Sequence, residues 1–159
     1  MPSAWWTARC SWWLQAEWYG SWIDQVGGGP VFFHGLYVSG GDFLTGEHRP
    51  YQAAAGGFGP VKVNRPVYCR RCDSACETGY GAWELAARFA YVDLQDPDTP
   101  PGPGGQLVGI QLPEFTFGVN WYLTDNVRLM GNYSLALPNE PNTGPSTAHL
   151  FAMRIGVFW

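Results

Sequence analysis

The feature that most constrains the fold of this chain is a repeated alternation of apolar and polar residues with a period of two. In GAWELAARFAYVDL, residues 81–94, Glu84 and Arg88 fall on one parity. The large apolar side chains fall on the other: Trp83, Leu85, Ala87, Phe89 and Tyr91. Successive side chains of a β-strand point to opposite faces, whereas a helix would scatter these residues around its axis. The segment is therefore predicted to be a strand with one apolar and one polar face.

Five further segments are predicted to be strands. EFTFGVNWYLT (residues 114–124) and VRLMGNYSLAL (residues 127–137) alternate in the same way, and Asp125 and Asn126 between them predict a tight hairpin turn. AHLFAMRIGVFW (residues 148–159) and WLQAEWYGSWI (residues 13–23) also alternate, and glycines blur the facing of VFFHGLYVSGGDFL (residues 31–44). This makes six strands.

Composition narrows the class of protein. Only 14% of the residues are charged, 16% are aromatic and nine are tryptophan, more than the core of a small soluble β-sandwich would hold. The sequence has no run of 18 apolar residues, so a transmembrane helix is not expected. These properties predict an all-β fold, an antiparallel transmembrane β-barrel whose lipid-facing residues alternate with lumen-facing ones. Aromatic girdles at the two membrane interfaces would then be formed by Trp18, Trp22, Trp83, Tyr91, Trp121, Tyr133 and Trp159.

Other classes of function find little support in the sequence. The net charge is −4 and the basic residues form no stripe, so nucleic acid is not an expected partner. None of the three histidines, His34, His48 and His149, belongs to a recognisable catalytic arrangement, so no enzyme activity is expected. No cofactor is expected either.

The connections between strands suggest how the chain lies in a membrane. Residues 95–106 and 138–148 are long and rich in Pro and Gly, as external loops are, whereas the turn at Asp125 is short. Thr45–Tyr80 is too long for a periplasmic turn, so it either folds into the lumen or contains an unrecognised pair of strands. A sheet in lipid must close on itself, because an open sheet would leave an unpaired edge there. Single-chain bacterial barrels have about eight strands or more, so six strands are too few to close.

Two interpretations follow. Residues 1–159 could be the C-terminal part of one larger barrel domain, with 45–80 as a long connection, or a small complete barrel. MPSAWWTARCSWW does not look like an export signal, which favours the first, and residues 1–11 are not expected to be native barrel sequence.

The polar parity supplies the candidate lumen residues. Its charged and amide side chains are predicted to line the anion path: Arg88, Arg128, Arg154, Glu84, Asn120 and Glu17. Arginine offers forked donors to anionic oxygens, so the three arginines would make a positive wall. The alternative, which we favour from the sequence alone, is a set of Arg–Glu pairs bracing the wall. A basic cluster within 45–80 would attract anions if it folded inward and be a solvated loop otherwise: Arg49, Lys62, Arg65, Arg70 and Arg71.

The cysteines Cys69, Cys72 and Cys76 have C-x2-C-x3-C spacing. Three thiolates would need a fourth ligand to hold zinc, and no further cysteine or histidine lies nearby. Disulfide or free thiols are therefore favoured over a metal site.

Several stretches resemble the phosphate-selective porin O and P family. The resemblance runs from Leu14 to Trp159 and is most specific in FLTGE, followed by Tyr51, and in GAWELAAR; it also includes LQAEWYGSW, FTFGVNWYLTDNVRLMGNYS and FAMRIGVFW. CRRCDSAC departs from the family pattern as an insertion.

The resemblance implies a homotrimeric outer-membrane channel of about sixteen strands that passes small anions, phosphate among them. The alternating tail ending in Trp159 resembles the signal read by the barrel-assembly machinery. The predicted function is thus passive diffusion of anions, and the alternative is a structural or adhesive barrel without a conducting pore.

Overall fold

The computed structural model describes residues 5–9, 11–24, 30–54, 56–69, 77–95, 109–140 and 144–158. These residues are built of strands: β1 (Trp5–Arg9), β2 (Trp12–Asp24), β3 (Pro30–Phe43), β4 (Tyr51–Gln52), β5 (Gly57–Phe58), β6 (Ala82–Asp93), β7 (Gln111–Thr124), β8 (Val127–Ala136), β9 (Asn139–Glu140), β10 (Gly144–Pro145) and β11 (Ala148–Val157). No helix long and apolar enough to cross a membrane is found in the described parts of the chain.

The long strands form one antiparallel sheet in the order β1-β2-β3-β6-β7-β8-β11, so neighbours in the sheet are also neighbours along the chain. The six predicted strands are confirmed, and the sheet is open, with β1 and β11 at its edges. The β7–β8 hairpin is also confirmed: the hydroxyl of Thr124 accepts hydrogen bonds from the backbone N–H groups of Asn126 and Val127, both at 3.2 Å.

Two parts of the fold lie outside the six predicted strands. Strand β1 pairs with β2 over five residues, so residues 5–9, which were not expected to be native barrel sequence, join the main sheet; the stretch is too short to show a clear alternation. Within the long connection, β4 and β5 form a pair of strands, one of the two alternatives for this segment, but they pair only with each other, through two residue pairs, and do not extend the main sheet.

The two faces of the sheet have the predicted chemistry. The apolar face leaves large side chains exposed, among them Trp18, Trp22, Leu85, Phe117, Phe151 and Met153. The polar face carries Glu17, Glu84, Arg88, Asn120 and Arg128, as the strand register and side-chain contacts show. A sheet with one wide apolar face exposed needs an apolar environment on that side. Trp159, the last predicted member of that face, lies outside the described residues.

The buried core is small and lies on the polar face, at the end of the sheet where the β7–β8 turn is found. Strand residues Trp13, Phe43, Ala82 and Tyr122 pack there with Val61 and Val63 of the long connection. The connection therefore does not hang free of the sheet.

Gly81 lies between the long connection and β6, where its backbone passes close to the backbone of Tyr122 in β7. Its φ is +72°, and a Cβ atom there would lie 2.3 Å from the backbone oxygen of Tyr122. We expect Gly81→Ala to lower the free energy of unfolding by about 1–3 kcal/mol, because an L side chain is strained at this φ and clashes with backbone. Urea unfolding of the refolded full-length protein in detergent measures this.

Gly131→Ala is the matched control for that variant. A Cβ at Gly131, in the middle of β8, has nothing within 4 Å, so its unfolding midpoint should stay close to that of the parent. If the two variants were equally stable, the close contact at Gly81 would not constrain the fold.

Candidate functional site

The connecting segment, residues 44–81, is fastened to the end of the sheet by hydrogen bonds along its length. The N–H of Leu44 donates to the oxygen of Trp83 at 2.9 Å, and the N–H of Val67 donates to the oxygen of Leu123 at 2.8 Å. The N–H of Val63 donates to Oδ1 of Asp125, in the β7–β8 turn, at 2.7 Å. The segment therefore packs against the polar face of the sheet, and it also contains the short strand pair β4–β5.

The centre of the site is the Glu84 cluster, which consists of Glu84, Trp13, Arg49, Asn120 and Tyr122. The side chain of Glu84 is completely buried. Its Oε1 accepts from Trp13 Nε1 at 2.7 Å and from Arg49 Nε at 2.9 Å. Its Oε2 accepts from Arg49 Nη2 at 2.9 Å, Asn120 Nδ2 at 2.8 Å and the Tyr122 hydroxyl at 2.8 Å. Five donors therefore satisfy one buried carboxylate.

Arg49 connects the Glu84 cluster to the connecting segment. Its guanidinium grips Glu84 with two parallel hydrogen bonds and lies 4.7 Å from the ring centre of Trp13. Burial alone would lower the pKa of Arg49, but the hydrogen bonds and charge of Glu84 outweigh it and raise the pKa. Taking two charges out of water is costly, and fork-to-fork pairing with every acceptor satisfied is what offsets that cost.

Local sequence explains how the strands place these groups. Glu84 of β6 lies opposite Asn120 of β7, and both occupy the polar parity of their strands. Tyr122 follows Asn120 by two residues and so lies on the same face. Trp13 of β2 reaches the cluster across β3, where Gly41 leaves room: a Cβ at Gly41 would lie 2.8 Å from Trp13 Nε1.

The structure brings together only some of the six predicted lumen residues. Glu84 and Asn120 bond directly, and Arg128 reaches them through the Tyr122 hydroxyl, to which its Nη1 donates at 3.3 Å. Arg128 also lies over the rings of Tyr122 and Phe158.

Glu17 and Arg88 form a second group around Tyr37, farther along the polar face. The guanidinium of Arg88 lies 4.3 Å from the ring centre of Tyr37, whose hydroxyl accepts from Gln15 Nε2 at 2.6 Å. Gln15 Nε2 also donates to Glu17 at 3.0 Å, and the Tyr19 hydroxyl donates to the same carboxylate. Arg88 is exposed on this face.

Arg154 stands apart from both groups. It lies on the edge strand β11 and is exposed, with no hydrogen bond or ion pair seen to any described residue.

The Arg–Glu pairing in the described structure differs from the predicted bracing. Glu84 pairs with Arg49 of the connecting segment, and none of Arg88, Arg128 and Arg154 forms an ion pair with a described carboxylate. The predicted bracing through wall arginines is therefore not observed in the described part of the chain.

Sequence patterns placed Arg49 only in a basic cluster of the connecting segment and did not single out Trp13 and Tyr122 as site residues. Tyr122 and Trp13 share the polar parity of their strands, and that parity is the available sequence signal for both. Arg49 gave no such signal, because it lies in a segment without periodicity and meets Glu84 across 35 positions of sequence. FLTGE (residues 43–47) and Tyr51, on either side of Arg49, are singled out only by family resemblance.

The basic cluster and the cysteines of the connecting segment lie partly within the described residues. Lys62 is exposed, and Arg65 forms an exposed ion pair with Glu77 at 3.7 Å. Cys69 is disulfide-bonded, in line with the favoured interpretation. Arg70, Arg71, Cys72 and Cys76 lie outside the described residues. Within the described ranges, no three His, Cys, Asp or Glu side chains are grouped so as to hold a metal ion.

The chain is similar to a known protein family and to a characterised porin. The family model described as phosphate-selective porin O and P matches residues 4–157. Porin O of Pseudomonas aeruginosa is 26% identical over 125 residues, an alignment that covers 76% of this chain and 26% of Porin O. The chain thus matches about a quarter of the length of that relative.

Proposed function

The chain belongs to the phosphate-selective porin O and P family, and from this we propose that it forms part of the wall of a bacterial outer-membrane channel. Small anionic solutes, phosphate among them, would diffuse passively past its polar face, and no chemical step is catalysed. The apolar face would contact outer-membrane lipid. Assembly into a homotrimer and recognition by the barrel-assembly machinery are parts of the same proposal.

One observation carries this proposal: the division of the sheet into an exposed, mainly apolar face and a face that carries three arginines. A water-filled barrel in lipid needs that division, because its lipid-facing and lumen-facing residues alternate along every strand. The three arginines would attract anions into the lumen and offer planar, forked donors to their oxygens.

The connecting segment supports a narrowed pore. It packs against the polar face through Val61 and Val63 and is held by the Arg49–Glu84 ion pair. A segment in this position takes up part of the lumen near one end of the strands. The same packing also favours the second candidate, a structural or adhesive barrel whose interior is too filled to conduct.

Conductance separates the two candidates. We expect the full-length protein carrying this chain to form channels in planar bilayers, with a reversal potential under a KCl gradient that shows anion selectivity. Added phosphate should reduce the chloride current by competing for the same path. A folded protein that conducts no ions would support the filled barrel, and a cation-selective channel would contradict the proposal.

Arg88 is a wall arginine placed to attract anions, because it lies on a central strand, is exposed on the polar face and forms no ion pair with a described carboxylate, whereas Arg154 lies on an edge strand. A unit charge at contact distance is worth about 1 kcal/mol in water and less in salt. We therefore expect Arg88→Gln to lower the chloride-to-potassium permeability ratio about two- to fivefold at low salt, and less at high salt. Reversal potentials at two salt concentrations measure this.

Arg88→Lys is the matched control, since it keeps the positive charge and removes only the planar fork. Its permeability ratio should stay near that of the parent. Equal ratios in all three proteins would show that Arg88 does not face the permeating ions.

A further inference from the structure

We propose that the cavity between the connecting segment and the β7–β8 hairpin binds a small organic carboxylate with an aromatic or other flat apolar body, and that Arg128 is the cation that receives it. This would be a saturable site, distinct from passive diffusion along the wall. The proposal depends on the fold of these elements and not on whether the channel conducts.

The cavity has a volume of about 350 Å³ and is lined by residues of both elements. Phe58, Pro60 and Val61 come from the connecting segment, Tyr122 and Arg128 from the hairpin, and Phe158 follows β11. This volume lies at the lower end of the range of small-molecule sites, which is roughly 300–1,000 Å³. An inorganic oxyanion has few atoms and would leave most of the space to water.

Arg128 supplies a positive charge that no described carboxylate neutralises. Its guanidinium lies 5.4 Å from the ring centres of both Tyr122 and Phe158. Its one hydrogen bond to a described group, to the Tyr122 hydroxyl, is 3.3 Å long, and its buried Nε has no partner among the described residues. A guanidinium has five N–H donors, so most of its capacity is unused. Arg49 lines the same cavity but is already paired with Glu84.

The walls favour an aromatic or flat apolar body on the ligand. Phe58, Tyr122 and Phe158 present rings to the cavity, and rings stack well on flat apolar groups. A carboxylate on that body would reach the guanidinium and gain charge-assisted hydrogen bonds.

Asp125 argues for a singly charged ligand. Its carboxylate also lines the cavity, where its Oδ1 is held by the N–H of Val63. A second negative charge on the ligand would be repelled by this group, so a monocarboxylate fits better than a phosphate dianion.

Benzoate is a suitable probe, because it combines one carboxylate with one flat ring. Equilibrium dialysis of the refolded full-length protein in detergent should show saturable benzoate binding at one site per chain. Benzyl alcohol, which has the ring without the charge, and inorganic phosphate, which has charge without the ring, should each bind at least about tenfold more weakly.

Arg128→Met keeps the length and apolar contacts of the side chain and should weaken benzoate binding at least about tenfold. Lys62→Met, which removes an exposed cation of the connecting segment, should leave it unchanged. Asp125→Asn should strengthen it. The benzoate and benzyl alcohol comparison on the parent needs no variant, so the test survives a misfolded Arg128→Met.

Three results would overturn the inference: no saturable benzoate binding, equal binding of benzoate and benzyl alcohol, or a well-folded Arg128→Met that binds like the parent. The first result, no saturable benzoate binding, is also what a carboxylate of the chain itself would produce if it filled the cavity in solution. Conductance of the same preparation in bilayers is a separate test, because binding in detergent does not require a conducting pore. A protein that conducts but does not bind benzoate contradicts this inference alone, and a protein that binds benzoate but does not conduct contradicts the proposed channel alone.

Discussion

Glu84→Ala is expected to lower the free energy of unfolding by about 3–5 kcal/mol, the largest effect of any single substitution considered for this chain. The side chain is fully buried and accepts five hydrogen bonds, so its removal strands the charge of Arg49 and leaves Asn120 and Trp13 without an acceptor. Burying an unpaired charge costs more than the ion pair contributes.

Reversible urea unfolding of the refolded full-length protein in detergent measures the loss. Glu77→Ala is the matched control, because it breaks the other described Arg–Glu ion pair, in which both side chains are more than two-thirds exposed. Exposed pairs contribute roughly 0–1 kcal/mol, so Glu77→Ala should be almost neutral. Equal effects of the two substitutions would mean that the Glu84 cluster does not hold the connecting segment.

A double substitution tests whether the stranded charge is the cause. Arg49→Met with Glu84→Met replaces both ions by apolar groups of similar length, and such a swap in a buried site is often neutral or stabilising. The double variant should therefore be more stable than Glu84→Ala. A double variant as unstable as the single one would point instead to the lost hydrogen bonds of Trp13 and Asn120.

Phe117→Arg is expected to prevent much of the protein from inserting into lipid. Phe117 lies mid-strand in β7 on the apolar face and is 56% exposed. Placing Arg on the lipid face near the bilayer midplane costs about 2–4 kcal/mol in transmembrane β-barrels. The folded fraction in phospholipid vesicles, read from heat-modifiable mobility on SDS gels, should fall accordingly.

Asn132→Arg is the control at the same level of the sheet. Asn132 of β8 lies opposite Gly118, next to Phe117, but points to the polar face, where it is exposed. Its substitution should leave insertion nearly unchanged, since a lumen-facing arginine stays in water. If both variants inserted equally well, the apolar face would not be the lipid face.

The strands and their facing could be predicted from the sequence because both depend on a local pattern. Side chains of neighbouring residues in a strand point to opposite faces, so the alternation around Glu84 or Phe117 is enough to assign a face. Strand β1 was missed because five residues carry too little of that pattern.

The candidate site was predicted only in part, for the same reason. Glu84, Asn120 and Arg128 were assigned to one face, and the register of three consecutive strands brings them close together. Trp13 lies two strands away from Glu84 and shares its face. Its contact with Glu84 could not be predicted without the register of the intervening strand β3.

The sequence by itself thus determined the six long strands from β2 onward and the face that most of their side chains take. Only the tertiary structure decided that the connecting segment folds back over the polar face and that Arg49, rather than a wall arginine, neutralises Glu84. That choice depends on contacts between residues far apart in the chain, where desolvation, hydrogen bonding and apolar packing act together. A segment without periodicity carries no local signal of such contacts.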